Sequence, residues 1–121
     1  MSQITLLSVP SAARATYSSG PIATDTAFGQ VQLVDIDITV TAITGGTSPT
    51  VTFKVSRLDA FSNLDQVWQP TAISAAGSFS QSIGPGEQTS ADLGDQFQID
   101  MVLTGAPTSV TFSLSVKAKT T

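Results

Sequence analysis

From Asp35 to Ala42, charged or hydroxyl side chains alternate with apolar ones. Successive side chains of an extended chain point to opposite faces, so this pattern predicts a strand with one buried face. A second alternation, from Thr50 to Leu58, follows the Gly-Gly-Thr-Ser-Pro run at residues 45–49. We expect these five residues to close an antiparallel hairpin. The predicted inward residues are Ile36, Ile38, Val40, Ala42, Val51, Phe53 and Val55.

The same design recurs later in the chain, from Gln96 to Leu103 and from Val110 to Val116 around a Gly-Ala-Pro-Thr turn. The segments Thr44–Ser56 and Thr104–Ser115 match closely once one residue is deleted from the second turn. Two explanations fit this match: an internal duplication, or two hairpins that independently use the same turn chemistry. The predicted inward residues here are Phe97, Ile99, Met101, Leu103, Val110, Phe112, Leu114 and Val116.

Other stretches predict shorter elements. We expect strands around Gln66–Trp68 and Gly77–Ile83 and one or two edge strands at Ile4–Val9 and Pro21–Thr26. Ala12–Thr16 is the only local helix candidate, and it is too short to stand alone. Because Val31 and Leu33 lie out of phase with the strand that follows, a bulge or break is expected near Val34. Trp68 is expected to anchor the core, since a single Trp buries a large area.

About seven or eight short strands predict an all-β protein, either an antiparallel β-sandwich of the jelly-roll or Ig-like kind or a closed barrel. We favour the sandwich, with each predicted hairpin at the centre of one sheet. A single domain is expected, in which residues 1–30 form an N-terminal strand and an extended arm rich in Ser, Ala and Thr, and residues 31–121 form the sandwich.

The composition argues against most chemistry. The chain has no Cys and no His, which removes the usual nucleophile pairs, imidazole bases and most transition-metal sites. Five cations in 121 residues are too few to follow a nucleic-acid backbone. No apolar run is long enough for a membrane span, and the N-terminus lacks the features of a signal peptide. We therefore expect no enzyme, no cofactor, no nucleic acid and no membrane, and synthesis in the cytoplasm.

Two groups of side chains are candidate ligand sites. An aromatic platform for sugars would need Tyr17, Phe61 and Trp68 on one surface. A calcium site would use carboxylates, which bind hard cations, although their spacing matches no calcium loop and solvated carboxylates on outward strand positions are the simpler interpretation. These carboxylates are Asp35, Asp37, Asp92, Asp95 and Asp100.

Residues 8–30 contain few large apolar side chains. They would form either an arm that lies on a neighbouring subunit or a surface loop tethered by Tyr17, Ile22 and Phe28. Phe61, in a loop, is a candidate for contact with a partner. The residues that we predict as subunit contacts are Tyr17, Gly45, Gly46, Pro49 and Phe61.

Several segments, taken in order along the chain, carry a family resemblance. They are residues 13–21; residues 37–55, which contain Thr-Gly-Gly-Thr-Ser-Pro-Thr-Val-Thr-Phe; Trp68; and residues 71–79, which contain Ala-Ala-Gly. Together with the second Gly-containing repeat, they resemble the small β-sandwich proteins encoded among the structural genes of tailed bacteriophages. The resemblance implies a virion component, either a capsid decoration protein or a head-tail or tail accessory subunit, and it brings no catalytic residues.

We therefore expect a non-enzymatic structural protein of a phage particle. It would decorate or stabilise the capsid as a homo-oligomer and contact major capsid, head-tail or tail proteins. Repeated weak contacts on a symmetric shell would give it avidity. The alternatives are a carbohydrate- or receptor-binding β-sandwich module and a repeat unit of a bacterial surface adhesin.

Overall fold

The computed structural model describes residues 2–26, 29–31, 33–59, 61, 63–91 and 93–120. In this part of the chain, eight strands form two four-stranded antiparallel sheets and two short strands form a separate ribbon. The strands are β1 (Ser2–Arg14), β2 (Ile22–Ala23), β3 (Asp25–Thr26), β4 (Gly29–Gln30), β5 (Leu33–Thr44), β6 (Thr50–Leu58), β7 (Leu64–Trp68), β8 (Gly77–Ile83), β9 (Gln96–Thr104) and β10 (Ser109–Thr120).

The first sheet has the order β1-β10-β5-β8, and the second has the order β2-β9-β6-β7. Their inner faces share one apolar core, in which Phe53 of the second sheet meets Phe112 of the first edge to face, with ring centroids 5.2 Å apart. This architecture confirms the predicted antiparallel β-sandwich. The largest of the fully buried core side chains are apolar: Phe53, Phe97, Phe112, Ile36, Ile38, Ile83, Leu93, Ile99, Leu114, Val34, Val40 and Val51.

The predicted alternation holds over most of the long strands, with two exceptions. Ala42 is exposed because a register shift at Thr41 turns β5 just beyond Val40. Ser56, predicted to point to solvent, is fully buried, and its register partners Gln98 and Gln66 flank it on either side. A polar residue in an alternating pattern is therefore not always exposed.

The hairpin predictions are wrong. β5 pairs with β10 and β8 in the first sheet, whereas β6 pairs with β9 and β7 in the second. Residues 45–49 therefore cross from one sheet to the other, and residues 105–108 cross back. Each sheet is centred on one strand from each near-copy, not on one near-copy alone.

The two near-copies occupy equivalent places in this arrangement. Where the crossovers leave the sheets, Thr44 pairs with Ser109 and Thr104 pairs with Thr50. The hydroxyls of Thr50 and Thr104 share a hydrogen bond. The crossovers thus lie side by side at one end of the sandwich, which we call the crossover end.

The N-terminal region lies on its own sandwich. β1 is 13 residues long and follows β10 from Ser2 opposite Thr120 to Arg14 opposite Val110. The predicted strand at residues 4–9 is therefore too short, and the arm prediction for residues 8–14 and the helix candidate at 12–16 are wrong. The reason is that the exposed edge of β10 supplies a partner for backbone groups that local sequence leaves unpaired.

After β1 the chain passes to the second sheet. The amide of Met101 donates to the Tyr17 carbonyl over 3.1 Å, the Ser19 amide donates to Ile99, and Ile22 pairs with Phe97. Tyr17 and Ile22 thus tether this segment, while Phe28 lies outside the described residues.

Val31 and Val34 are both buried although they lie three positions apart, so the alternation changes phase between them, as expected near Val34. Val34 itself is buried and in phase with Ile36. No helix in the described part of the chain is long and apolar enough to cross a bilayer.

Candidate functional site

The five predicted contact residues do not form one site. Gly45, Gly46 and Pro49 lie in the first crossover. Phe61 lies at the opposite end of the sandwich, since β6 runs from the crossover at Thr50 away to Leu58. We call this opposite end the Phe61 end. Tyr17 lies beside β9, between the two sheets.

At the crossover end the two crossovers hold each other through their backbones. The Thr47 amide donates to the Gly105 carbonyl over 2.9 Å, and the Thr108 amide donates to the Thr44 carbonyl over 2.7 Å. Gly46 has a φ of +77°. A Cβ there would overlap the Gly105 carbonyl oxygen and lie 2.9 Å from the Ala106 carbonyl. The glycine is thus required by a contact within the chain.

Tyr17 closes one side of the core. Its ring packs edge to face on Phe112, with centroids 5.3 Å apart. The hydroxyl is buried without a hydrogen-bond partner among the described residues. Burial raises the pKa of Tyr17, an effect that Arg14 opposes and Asp100 reinforces. The residue therefore has a packing role.

Arg14 ties the end of β1 to the core. Its guanidinium lies over the Phe112 ring, 4.9 Å from the centroid, and donates to the carbonyls of Pro10, Ala12 and Phe112 over 2.8, 3.2 and 3.0 Å. A planar guanidinium suits this task because it carries several donors in a fixed fork. In the sequence Arg14 is one of five scattered cations, and no local pattern indicates this role.

The connection between β6 and β7 presents Phe61 to solvent. We call residues 59–63 the Phe61 loop, of which Asp59, Phe61 and Asn63 are described. The Asp59 carboxylate accepts from the amides of Phe61 at 2.8 Å and Asn63 at 2.9 Å, and the Asp59 amide donates to the Asn63 carbonyl. Phe61 is 86% exposed. Hydrogen bonds within the loop hold its backbone, whereas its one large apolar side chain, Phe61, projects into solvent instead of packing on the core.

The hydrogen bonds to Asp59 also change the pKa of its carboxyl group. The amides of Asn63 and Phe61 lower the pKa of the Asp59 carboxyl, because they donate to its charged form. An Asp whose side chain binds backbone amides two residues onward is a common turn device. That turn chemistry is the signal in the sequence from which Asp59 would have been identified.

β7 continues from the Phe61 loop as an edge strand of the second sheet. Leu64 is 50% exposed, and Gln66 is exposed as well. Asp65 binds Arg57 of β6 through an ion pair of 2.7 Å. Trp68 is half-buried against the core. Phe61 and Leu64 are the exposed apolar side chains that the structure describes on the Phe61 loop and β7, and four exposed polar side chains surround them. We take this surface as the candidate interaction site.

The other candidate sites do not assemble. Tyr17 lies on the β9 side of the second sheet and Trp68 on the opposite edge, so the three aromatic residues do not share a platform. Among the described residues no three acidic side chains come together as a metal site. Asp37, on the first sheet, accepts from the Ser80 hydroxyl, and Asp100, on the second, accepts from Gln98. Asp92 lies outside the described residues.

Comparisons with known proteins place the chain in no family. No protein-family model matches it, and no curated protein matches it significantly. Among solved structures it is similar to the CBM22-1 xylan-binding domain of Paenibacillus barcinonensis Xyn10C, with 13% identity, 96% of this chain and 85% of that chain covered, and a TM-score of 0.44. A likeness of this size carries no argument about function.

Proposed function

We propose that this protein is a non-enzymatic structural subunit of a tailed-phage virion that attaches to the particle surface and decorates or stabilises the capsid. The observation that carries the proposal is the exposed Phe61 on a loop braced by Asp59. Hydrogen bonds to Asp59 hold the loop backbone at Phe61, so the backbone loses little conformational entropy on binding, and large aromatic side chains dominate many interfaces.

The chemistry of the chain supports a role in assembly. It has no His or Cys, and Ser and Thr supply 33 of its 121 residues. Hydroxyl-bearing side chains are less costly to desolvate at an interface than charged ones. The resemblance of residues 37–55 to virion β-sandwich proteins supplies the class of partner, a major capsid, head-tail or tail protein.

The test is binding to particles assembled without the chain. Purified wild-type protein is added to such particles, which are then sedimented and washed, and the bound protein is quantified. The Phe61→Ser variant is compared with Val102→Ser, which removes another exposed apolar side chain, 49% exposed, from the middle of β9. We expect the wild-type and Val102→Ser proteins to sediment with the particles and the Phe61→Ser protein to stay in solution.

Two results would count against the proposal. Failure of the wild-type protein to bind any particle fraction would exclude a virion role. Equal binding of the Phe61→Ser protein would remove Phe61 as the anchor. Ligand-dependent quenching of Trp68 fluorescence across a glycan panel, without particle binding, would instead favour a carbohydrate-binding module.

A further inference from the structure

We propose that this chain is an interlocked pair of halves, residues 2–58 and residues 64–120, and that a second copy can exchange halves with it through the Phe61 loop. Each half then binds the other half of its own chain, or that of the second copy, in the same register. The inference concerns the chain itself and does not depend on the proposed virion role.

The pairing in the two sheets runs between the halves. In each described pairing of the four-stranded sheets, one strand belongs to the first half and the other to the second: β1 with β10, β5 with β10, β5 with β8, β2 with β9, β6 with β9 and β6 with β7. Within a half, the described residues pair only in the β3–β4 ribbon and in an isolated bridge from Ile83 to Thr89. Each half therefore depends on the other for its place in a sheet.

The halves repeat one arrangement of four strands. In chain order, β1, β2, β5 and β6 of the first half correspond to β7, β8, β9 and β10 of the second. This substitution turns the order of the first sheet, β1-β10-β5-β8, into β7-β6-β9-β2, which is the second sheet read backwards. The β3–β4 ribbon is an insertion in the first half. Similar turn chemistry would explain the two crossovers alone, whereas the matching order of eight strands indicates an internal duplication.

The register repeats as well. Val110 of β10 lies opposite Ile43 of β5. Val51 of β6, which is equivalent to Val110, lies opposite Leu103 of β9, which is equivalent to Ile43. The two halves thus offer each other the same register beside the crossovers, up to the register shift at Thr41 of β5.

Equivalent residues also share contacts and backbone conformations. Phe53 and Phe112 are equivalent, and their rings meet at 5.2 Å, as equivalent residues do beside a two-fold axis. Gly46 and Ala106 are equivalent and have φ values of +77° and +52°. A positive φ is uncommon for alanine, so its recurrence at the same place in both crossovers supports the relation between the halves.

The Phe61 loop joins the halves, and the fold makes little use of it. Its described hydrogen bonds connect Asp59 with Phe61 and Asn63, inside the loop. Phe61 is 86% exposed, and Leu64, just after the loop, is 50% exposed. The crossovers, by contrast, bind each other. Opening the Phe61 loop therefore breaks hydrogen bonds inside the loop and none that the structure describes between the loop and the sheets.

A second copy is the partner that this arrangement fits. When the loop opens, the second half of each copy can take the place of the other, and every pairing of the two sheets is made again in its own register. Only the loop differs between the exchanged dimer and two single chains, and such exchange is a low-cost route to dimers. A short link gives the halves of one chain an effective concentration on the order of millimolar, so exchange is expected when the chain refolds at a comparable concentration.

The experiment refolds the full-length chain from urea at about millimolar concentration and measures its molar mass by sedimentation after dilution. We expect a dimer of twice 12.5 kDa that persists on dilution, because its separation requires every pairing between the halves to break. Refolding in dilute solution should give the monomer. A chain that is monomeric after both treatments would overturn the proposal.

Cysteine variants locate the exchange, since the chain has no Cys. Leu58 and Leu64 pair directly and are separated by the Phe61 loop alone, so an exchange at any other connection leaves them paired within one chain. Leu58→Cys and Leu64→Cys chains refolded together at high concentration should form a disulfide between different chains. The same chains, refolded separately in dilute solution and then mixed, are the control and should not.

Two further pairs complete the design. Thr39→Cys with Ser78→Cys repeats the test in the first sheet, where these exposed residues of different halves pair. Thr39→Cys with Leu64→Cys is the matched control, because these residues lie in different sheets. A dimer that lacks the disulfide between residues 58 and 64 would overturn the proposal, since its contact would then lie at a sheet edge or another connection. Equal linkage in the controls would count against it as well.

Discussion

The two ends of the sandwich are built on opposite principles. At the crossover end, two loops from distant parts of the chain bind each other through their backbones, and Thr47 and Thr108 donate across the gap. At the Phe61 end, the hydrogen bonds described for the loop lie within it, and Asp59 accepts two of them. The crossover end uses its polar groups in hydrogen bonds within the fold, whereas the Phe61 end leaves one large apolar side chain in solvent. Under the proposed function, the residues that stabilise the fold and those that bind a partner would lie at opposite ends of the molecule.

The largest effect on stability is expected when a methyl group is added at Gly46, in the crossover end. Gly46→Ala should lower the free energy of unfolding by about 2–5 kcal/mol, since it combines a left-handed backbone with overlap against Gly105. Gly86→Ala is the matched control, because Gly86 has a φ of +79° and no atom lies within 4 Å of the place that a Cβ would take. Urea unfolding should show a loss of only about 1–2 kcal/mol there. Equal losses of stability in the two variants would mean that the overlap between the added methyl group and Gly105 does not destabilise the fold.

Arg14 offers a smaller test at the same end. Arg14→Lys keeps the charge but loses the fork that reaches Pro10, Ala12 and Phe112, and should cost about 1–2 kcal/mol in urea unfolding. Arg57→Lys, at the other end, alters a pair whose side chains are 39% and 66% exposed, and should cost less than about 0.5 kcal/mol. The comparison fails if the Arg57 variant is the less stable of the two.

The Phe61 end should respond to pH in its own window. The folded-state pKa of Asp59 lies below its ordinary value of 3.8, so its stabilisation is present above that pH and is lost as pH falls through the lowered pKa. We expect the amide resonances of Phe61 and Asn63 to shift in that range, and the shift to disappear in Asp59→Asn. A midpoint at or above 3.8 would show that these amides do not hold the carboxylate.

The smallest effect on stability is expected at Phe61 itself. Phe61→Ser should change the free energy of unfolding by no more than about 0.5 kcal/mol, because the ring is 86% exposed. Thermal or urea unfolding beside the particle-binding assay would therefore show loss of binding without loss of fold. A variant that unfolds readily would mean that the ring supports the structure after all.

The strands were largely predictable from sequence, whereas their partners were not. The alternation from Thr50 to Leu58 identified β6 and its inward residues Val51, Phe53 and Val55. Periodicity specifies which face of a strand is buried but carries no information about which strand lies beside it. A glycine-rich link between two strands therefore fits a hairpin and a crossover between sheets equally well.

The site was predictable to a similar degree. Phe61 was identified because a large apolar residue stood in a polar loop, which is a local property. Gly45 and Gly46 were identified for a contact with a neighbouring subunit, but what restricts them is the second crossover of the same chain: a Cβ at Gly45 would meet the Thr108 side chain, and one at Gly46 would meet the Gly105 carbonyl. The role of Arg14 could not be predicted, because the groups that accept its hydrogen bonds are backbone carbonyls, which every sequence has.

The position of β10 has a consequence for synthesis. β10 lies between β1 and β5 at the centre of the first sheet, yet the ribosome completes it after all the other described strands. Until then β1 has no partner and the crossovers cannot meet, since residues 105–108 are also late. Pairing over such sequence separations is slow to form. The nascent chain must therefore keep β1 and one edge of β5 unpaired until nearly the whole domain has been translated, which makes a holding chaperone useful during production of this protein.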